Sequence, residues 1–379
     1  MKAIYLDHAA TTPLDNEILE KMLPYLTDTF GNADSPHALG RKAMHAVDNA
    51  RDCVAELINA KPSEVYFTSG GTEADNWALI GGAYAARERG RTKILISAIE
   101  HHAVLAAAEK LRADGFEIVY IPVNGQGRVE INAVESLLDE SVGLVAVMLA
   151  NNETGAVQPI QALADLAHQA GAVFFTDGVQ AAPYMPMDVK KLGVDMLSFS
   201  SHKFYGPKGC GALYIKNGVK IKGFVIGGEQ ERGLRGGTTN VASVAGLAAA
   251  YKKTAETLPQ TAEKLAFLRK IFLEELSVAD GISINGGQDG DLPAVLNLRI
   301  KGVNNADFVY GMDLQGVCVA AGSACASASI KPSHVLTAMG LTDGEAKECV
   351  RISFGKNNTE SEVREAAKKA VELINRLRG

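Results

Sequence analysis

Between residues 65 and 215 the chain alternates short apolar runs with stretches of helical spacing, and this alternation limits the fold more than any other feature. The runs at 65–68, 93–97, 116–121, 143–149, 173–176, 195–199 and 212–215 read as strands, too short for buried helices. Between them, a turn at 69–73 opens a helix through Arg89, and 102–112, 129–138 and 161–170 also carry helical periodicity. Such alternation predicts an α/β fold with a mainly parallel sheet and helices on both faces. Ligands then sit beyond the carboxyl ends of the strands. The residues following the strands are Gly71-Thr72, Glu100-His101, Asn151-Asn152-Glu153, Asp177 and Ser200-Ser201-His202-Lys203. Each strand end thus delivers groups capable of chemistry to one edge.

The flanking segments read differently. Residues 4–13 form a short strand and a small-residue loop, and 14–26 and 39–58 are amphipathic helices, with Cys53 on an apolar face. A glycine-rich loop spans 227–240, followed by helices at 241–257 and 261–276. Beyond these, strands near 283, 294–299, 317–320 and 350–353 mix with helices at 305–313, 332–339 and 360–377. This predicts a large domain at 14–257 and a smaller α+β domain made of 1–13 and 258–379. At 379 residues the chain is long enough for both cores. Its net charge of −6, with no charge run, argues against a nucleic-acid-binding face. The longest apolar run, near 144–150, is far below membrane-spanning length. The apolar run of the first eight residues is too short for a signal peptide. Five cysteines without a Cys-x-x-Cys spacing predict reduced thiols and a cytoplasmic protein.

The stretch Ser198-Phe199-Ser200-Ser201-His202-Lys203-Phe204-Tyr205-Gly206-Pro207-Lys208-Gly209 places two hydroxyls, an imidazole and an amine between an apolar strand and a forced turn. A lysine at a strand end beside phosphate-holding groups is what a pyridoxal-phosphate enzyme needs: Lys203 for the Schiff base, Ser200 and His202 as phosphate donors. Most lysines are solvated surface charges, and only the neighbouring stretches lift Lys203 above that reading. Gly71-Thr72 at a helix start offers backbone N–H groups and the positive end of the dipole, against the alternative of an ordinary cap by Thr72. Asp177 can hold the ring nitrogen protonated, and its burial calls for a cationic partner. Gln180 can donate to the ring hydroxyl. His101 can stack on the ring or carry protons, against the alternative of a helix-capping histidine.

Cys325 stands apart from the other thiols. Cys210, Cys318 and Cys349 sit among apolar residues and read as buried hydrophobes, whereas Cys325 lies within ten small residues, 320–329. A loop of that composition, about 321–331, predicts a reachable thiol. An incidental cysteine in a linker is the alternative. Arg351, amid apolar strand residues, suits a two-pronged grip on a substrate carboxylate.

Several stretches resemble the cysteine desulfurases. They are Tyr5-Leu6-Asp7-His8-Ala9-Ala10-Thr11-Thr12-Pro13, Ser69-Gly70-Gly71-Thr72-Glu73-Ala74-Asp75-Asn76, Asn151-Asn152-Glu153-Thr154-Gly155, the lysine stretch, Arg232-Gly233-Leu234-Arg235-Gly236-Gly237-Thr238 and Gly322-Ser323-Ala324-Cys325. The likeness runs from residue 4 to about 355 and points to the long-loop branch, since the other branch's Arg-x-Gly-His-His-Cys segment is absent. Gly71 stands where members often carry alanine. The resemblance implies a fold-type I pyridoxal-phosphate transferase and a homodimer. Lys203 would bind the cofactor aldehyde, with Gly71, Thr72, Ser200 and His202 on its phosphate and Thr238 reaching the neighbouring subunit's cofactor. Asn152, Asp177, Gln180 and His101 would line the ring, and Arg351 with Asn152 would hold the substrate carboxylate.

L-Cysteine would be converted to L-alanine, its sulfur passing to Cys325 as a persulfide. An acceptor such as an iron–sulfur cluster scaffold, a tRNA-thiolation enzyme or a nitrogenase-maturation protein would then take the sulfur. No resident metal, membrane or direct nucleic-acid partner is expected; Cys325 would ligate a cluster only transiently, on transfer. Two kinds of rival remain at this point. A selenocysteine lyase or another aminotransferase or lyase of the same fold needs Lys203 and Asp177, and an aminotransferase has no use for Cys325. A non-catalytic sulfur carrier needs only Cys325.

Overall fold

The computed structural model describes residues 3–287, 289–322 and 332–379; Cys325 and the rest of 323–331 lie outside the described residues. Seven strands form the central sheet, in the order Val65–Thr68, Gly211–Ile215, Met196–Ser200, Val173–Asp177, Val142–Ala146, Lys93–Ser97 and Glu117–Ile121. Gly211–Ile215 runs antiparallel to both neighbours and all other pairings are parallel. The fold is α/β of fold type I, as expected. Because the antiparallel strand separates two strands of the same direction, Val65–Thr68 ends on the same edge as the parallel strands. That edge collects the polar strand ends.

Alternation of side chains explains why helices cover both faces. Phe67, Leu95, Val145, Phe174 and Leu197 pack with helices Ala38–Leu57, Ile160–Gln169 and Val241–Glu256. Their neighbours Tyr66, Ile94, Ile96, Leu144, Phe175 and Met196 pack on the opposite side with 74–83 and helix His102–Ala113. The sequence-expected helix from the 69–73 turn to Arg89 is observed as Gly71–Asn76, one π turn at Trp77–Gly81, and Gly82–Arg87. The wider turn seats buried Trp77, whose indole N–H donates to the Lys222 carbonyl at 2.9 Å.

A second core joins Ile4, Leu6 and Ala9 to Leu265, Phe272, Val295, Leu298, Phe354 and Leu373. Ile4–Tyr5 pairs with Val317–Cys318, and Ile282–Asn285, Val295–Ile300 and Cys349–Ser353 form a three-stranded antiparallel sheet. On these contacts we propose the division into a unit of 14–257 and one of 1–13 with 258–379; Leu292 crosses it, packing into the first unit's core. The run expected as a strand at 317–320 pairs only over Val317–Cys318, with Ala320 bridging singly to Arg351. Short helices at Val189–Leu192 and Asp343–Ala346 escaped the sequence reading because one turn shows no period.

The sheet positions the glycine turn by close contact. A Cβ on Gly211 would lie 2.7 Å from the Gly70 carbonyl carbon and 2.8 Å from the Phe199 carbonyl oxygen. Gly211→Ala should therefore cost about 1–3 kcal/mol through overpacking, read as a lower Tm. Gly344→Ala, in a helical turn with nothing within 4 Å of the added carbon, should leave Tm unchanged or raise it. Equal effects of the two substitutions would remove the close-approach argument.

Candidate active site

At the carboxyl edge lies a cavity of about 460 Å³ lined by residues from five strand ends and the N-terminal segment. Gly71, Thr72, His101, Asn152, Asp177, Gln180, Ser200, His202, Lys203 and Arg351 all line it. Thr238 does not; it is exposed in the 227–240 loop. Lys208 also lines the cavity, so Lys203 is not the sole amine there.

The lysine turn is tightly built. Tyr205 holds a left-handed φ of 64°, and a Cβ on Gly206 would fall 1.9 Å from Ser201 Oγ, so only glycine fits. Phe204 and Gly206 N–H groups both donate to the Ser201 carbonyl, at 3.1 and 3.0 Å. Lys203 Nζ donates to the carbonyls of Ala9 at 2.6 Å and Ala10 at 3.0 Å. His202 Nδ1 lies 3.1 Å from Thr11 Oγ1, and Thr12 donates to the His202 carbonyl through Oγ1 at 2.8 Å and N–H at 3.0 Å. Burial, and then the Lys203 charge, pushes the His202 imidazole down to about 4. It is neutral at pH 7.

His101 is a helix-capping histidine that also lines the cavity. Its Nδ1 accepts the Ala103 N–H at 3.1 Å and caps helix His102–Ala113, while the ring lines the cavity. Burial, with Lys203 next, lowers its pKa to about 4. A neutral ring whose Nδ1 accepts carries its proton on Nε2. The Asn151-Asn152 turn is shaped by Asn151, whose Oδ1 accepts the N–H groups of Glu153 and Thr154 at 2.9 and 3.0 Å, leaving Asn152 to the cavity.

Asp177 is buried, and Oδ1 accepts the Val179 N–H at 2.8 Å. Burial raises its pKa, opposed by that bond and by the Lys203 charge, which is the cationic influence the sequence called for. Two further buried carboxyls stand near it. Asp75 accepts Ser198 Oγ and is raised by burial and then by Asp177. Glu100 Oε1 accepts Ser97 Oγ and, at 2.6 Å, the Met148 N–H; burial raises Glu100 to about 8. The Val179 bond and Lys203 favour charge on Asp177, which leaves Asp75 the protonated member of that pair.

These groups fit pyridoxal phosphate. Among the described residues both polar atoms of the Gln180 amide are buried without a partner, a costly state that a polar ligand relieves. At Gly71 an added Cβ would meet Val179 Cγ2 at 2.8 Å and Ser200 Cβ at 3.5 Å. Val179 thus fills the space that alanine would take at position 71, and the helix start lies close to the Ser200 hydroxyl.

The Aminotransferase class-V family profile matches residues 4–365. The chain is 45% identical over 379 residues to the putative cysteine desulfurase IscS 1 of Bacillus subtilis strain 168, covering the whole of both. It is 42% identical over 365 residues to the cysteine desulfurase IscS of Clostridium botulinum strain Hall, covering 96% of this chain and 92% of that one. A solved NifS-like protein superposes with a TM-score of 0.93 at 35% identity, covering 98% of this chain and 99% of the other. This chain belongs to the class-V aminotransferase family, among its cysteine desulfurases. The cysteine desulfurases are pyridoxal-phosphate enzymes, and the cavity is built accordingly.

Sequence reasoning missed several participants. Asp7 pairs with Arg351, Oδ1 to Nη2, at 2.8 Å. Ala9, Ala10 and Thr11 contact Lys203 and His202 as described. Their signal was present, since 5–13 was among the stretches carrying the family resemblance, but no role followed from it. Buried Glu153 accepts Ser333 Oγ at 2.6 Å, and a Cβ on Gly322 would lie 3.3 Å from its Oε2. It therefore meets described residues on either side of 323–331.

The Glu100 assignment has a pH signature. A carboxyl raised from 4.5 to about 8 on folding binds its proton more tightly in the native state. The stability it contributes is complete at low pH and is lost as pH rises through that interval. The wild-type Tm should fall relative to Glu100→Gln between about pH 5 and 8 and run parallel above. Parallel curves throughout would show that Glu100 ionises normally.

Proposed function

We propose that this cysteine desulfurase converts L-cysteine to L-alanine at the cavity edge, with Lys203, Asp177, His101 and Cys325 as its reacting residues. The observation that carries the reading is the convergence of Lys203, buried Asp177 and the unpartnered Gln180 amide on one cavity. Bound there, pyridoxal phosphate supplies an electron sink for the substrate's α-carbon chemistry. Gly71, Thr72, Ser200 and His202 would hold its phosphate, and Gln180, Asn152 and His101 its ring. Asp177, as the ionised member of the carboxyl cluster, would keep the ring nitrogen protonated. Arg351 and Asn152 would orient the substrate carboxylate.

Lys203 would bind the cofactor aldehyde and, when released, move protons at the substrate, since its amine is held at the cavity by two carbonyls. His101, neutral with its proton on Nε2, can donate a hydrogen bond from Nε2 to a group in the cavity. Cys325 would take the substrate's sulfur as a persulfide and pass it to an acceptor protein, an iron–sulfur cluster scaffold or a tRNA-thiolation enzyme. Among the described residues no helix is long and apolar enough to cross a membrane; we place the enzyme in the cytoplasm on its cysteine usage. We assign it a homodimeric state, with Thr238 of each subunit serving the other's site.

Lys203→Ala should abolish the visible band of the lysine-bound cofactor and lower turnover by at least the roughly 10²- to 10⁴-fold that positioned proton transfer contributes. Cys325→Ser should bind cofactor and still show an L-cysteine-induced spectral change, yet form no persulfide, because a hydroxyl attacks sulfur poorly at neutral pH. Persulfide on another residue, or near-wild-type turnover by Lys203→Ala, would refute the assignments.

A further inference from the structure

Arg351 is 1% exposed, so it needs an internal counter-charge before any substrate arrives. Asp7 provides it, at 2.8 Å from Nη2, while Nη1 donates to the Asn152 carbonyl at 3.0 Å. The remaining nitrogen, Nε, is buried with no partner among the described residues, although Arg351 lines the cavity. A carboxylate grips a guanidinium with two parallel bonds, through Nη1 with Nη2 or through Nε with Nη2. Both approaches use an N–H of Nη2, which carries two, and Asp7 already takes one of them.

We propose that Asp7 is a positioning and specificity residue: it holds Arg351 in place before substrate enters and is the anion with which an entering substrate carboxylate competes for one buried cation. Two anions on one buried cation leave an uncompensated negative charge, which a low-dielectric site resists. Asp7 can yield, because its side chain is 18% exposed and it follows the two-residue strand Ile4–Tyr5, close to water. Competition weakens the grip on any carboxylate and makes the site selective. A ligand carrying only a carboxylate barely competes with Asp7, while an amino acid adds the anchoring of its amino group. The same segment supplies the carbonyls that hold Lys203, so the carboxylate end and the amine end of the substrate meet one stretch of backbone. The proposal rests on the reading of Arg351 as the carboxylate site.

The test uses the holoenzyme and propionate, which has a carboxylate and no amine to react with the cofactor. Propionate affinity is measured by titration calorimetry and by the Tm rise it causes, alongside the KM for L-cysteine. Asp7→Asn keeps an acceptor for Nη2 but removes the competing charge; it should bind propionate about tenfold more tightly, one charge-assisted bond's worth. Asp7→Glu, which keeps the charge, should bind as the wild type does. Asp7→Ser gives the same neutral comparison if Asp7→Asn does not fold. Unchanged or weaker propionate binding in the neutral variants, with binding lost in Arg351→Gln, would overturn the role of Asp7 alone. Undiminished binding in Arg351→Gln would overturn the carboxylate site itself, and this proposal with it.

Discussion

The amine of Lys203 rests on two carbonyls, those of Ala9 and Ala10, 194 and 193 residues away in sequence. Much of the site depends on that bracing. Thr11 and Thr12 fix the histidine beside it, and Asp7 fixes the arginine across the cavity. Ile4, Leu6 and Ala9 are buried with the C-terminal core, so on the proposed division the brace belongs to one unit and the lysine turn to the other. Apolar burial in the smaller unit thereby sets the positions of charges in the larger one. The contact is polar, directional and short, which would suit the role proposed for Lys203.

Electrostatics in this cavity are organised by burial more than by salt bridges. Three carboxyls are withdrawn from water near the edge, and each is raised first by desolvation. Two imidazoles are lowered for the same reason and are neutral at pH 7. What distinguishes Asp177 is the small set of interactions favouring its charge, the Val179 N–H and Lys203. An isolated charge there would be costly; a cationic ring would offset much of that cost. The neutral histidines in turn do not compete with Lys203 for anionic groups.

Strands and helices were legible because fully buried strands of a parallel sheet read as continuous apolar runs, as at Val142–Ala146. The polar residues after each run were legible as a group because one sheet edge gathers them. Less legible were partners defined only by folding. Asp75 looks like an ordinary helix acid, and nothing local shows that the Ser198 hydroxyl, 123 residues on, donates to it in the interior. Asp7 and Arg351 are separated by 344 residues, and neither has a local pattern that names the other. The π turn at Trp77 reflects tertiary packing on the Lys222 carbonyl, which periodicity does not encode.

We propose Lys203, held by the N-terminal carbonyls, as the amine that carries the cofactor. Borohydride reduction of the holoenzyme followed by peptide mass analysis tests it directly, because Lys208 lines the same cavity and lies only five residues on. The reduced pyridoxyl group should lie on Lys203 in essentially all labelled protein. Label on Lys208, or spread evenly between the two, would contradict it.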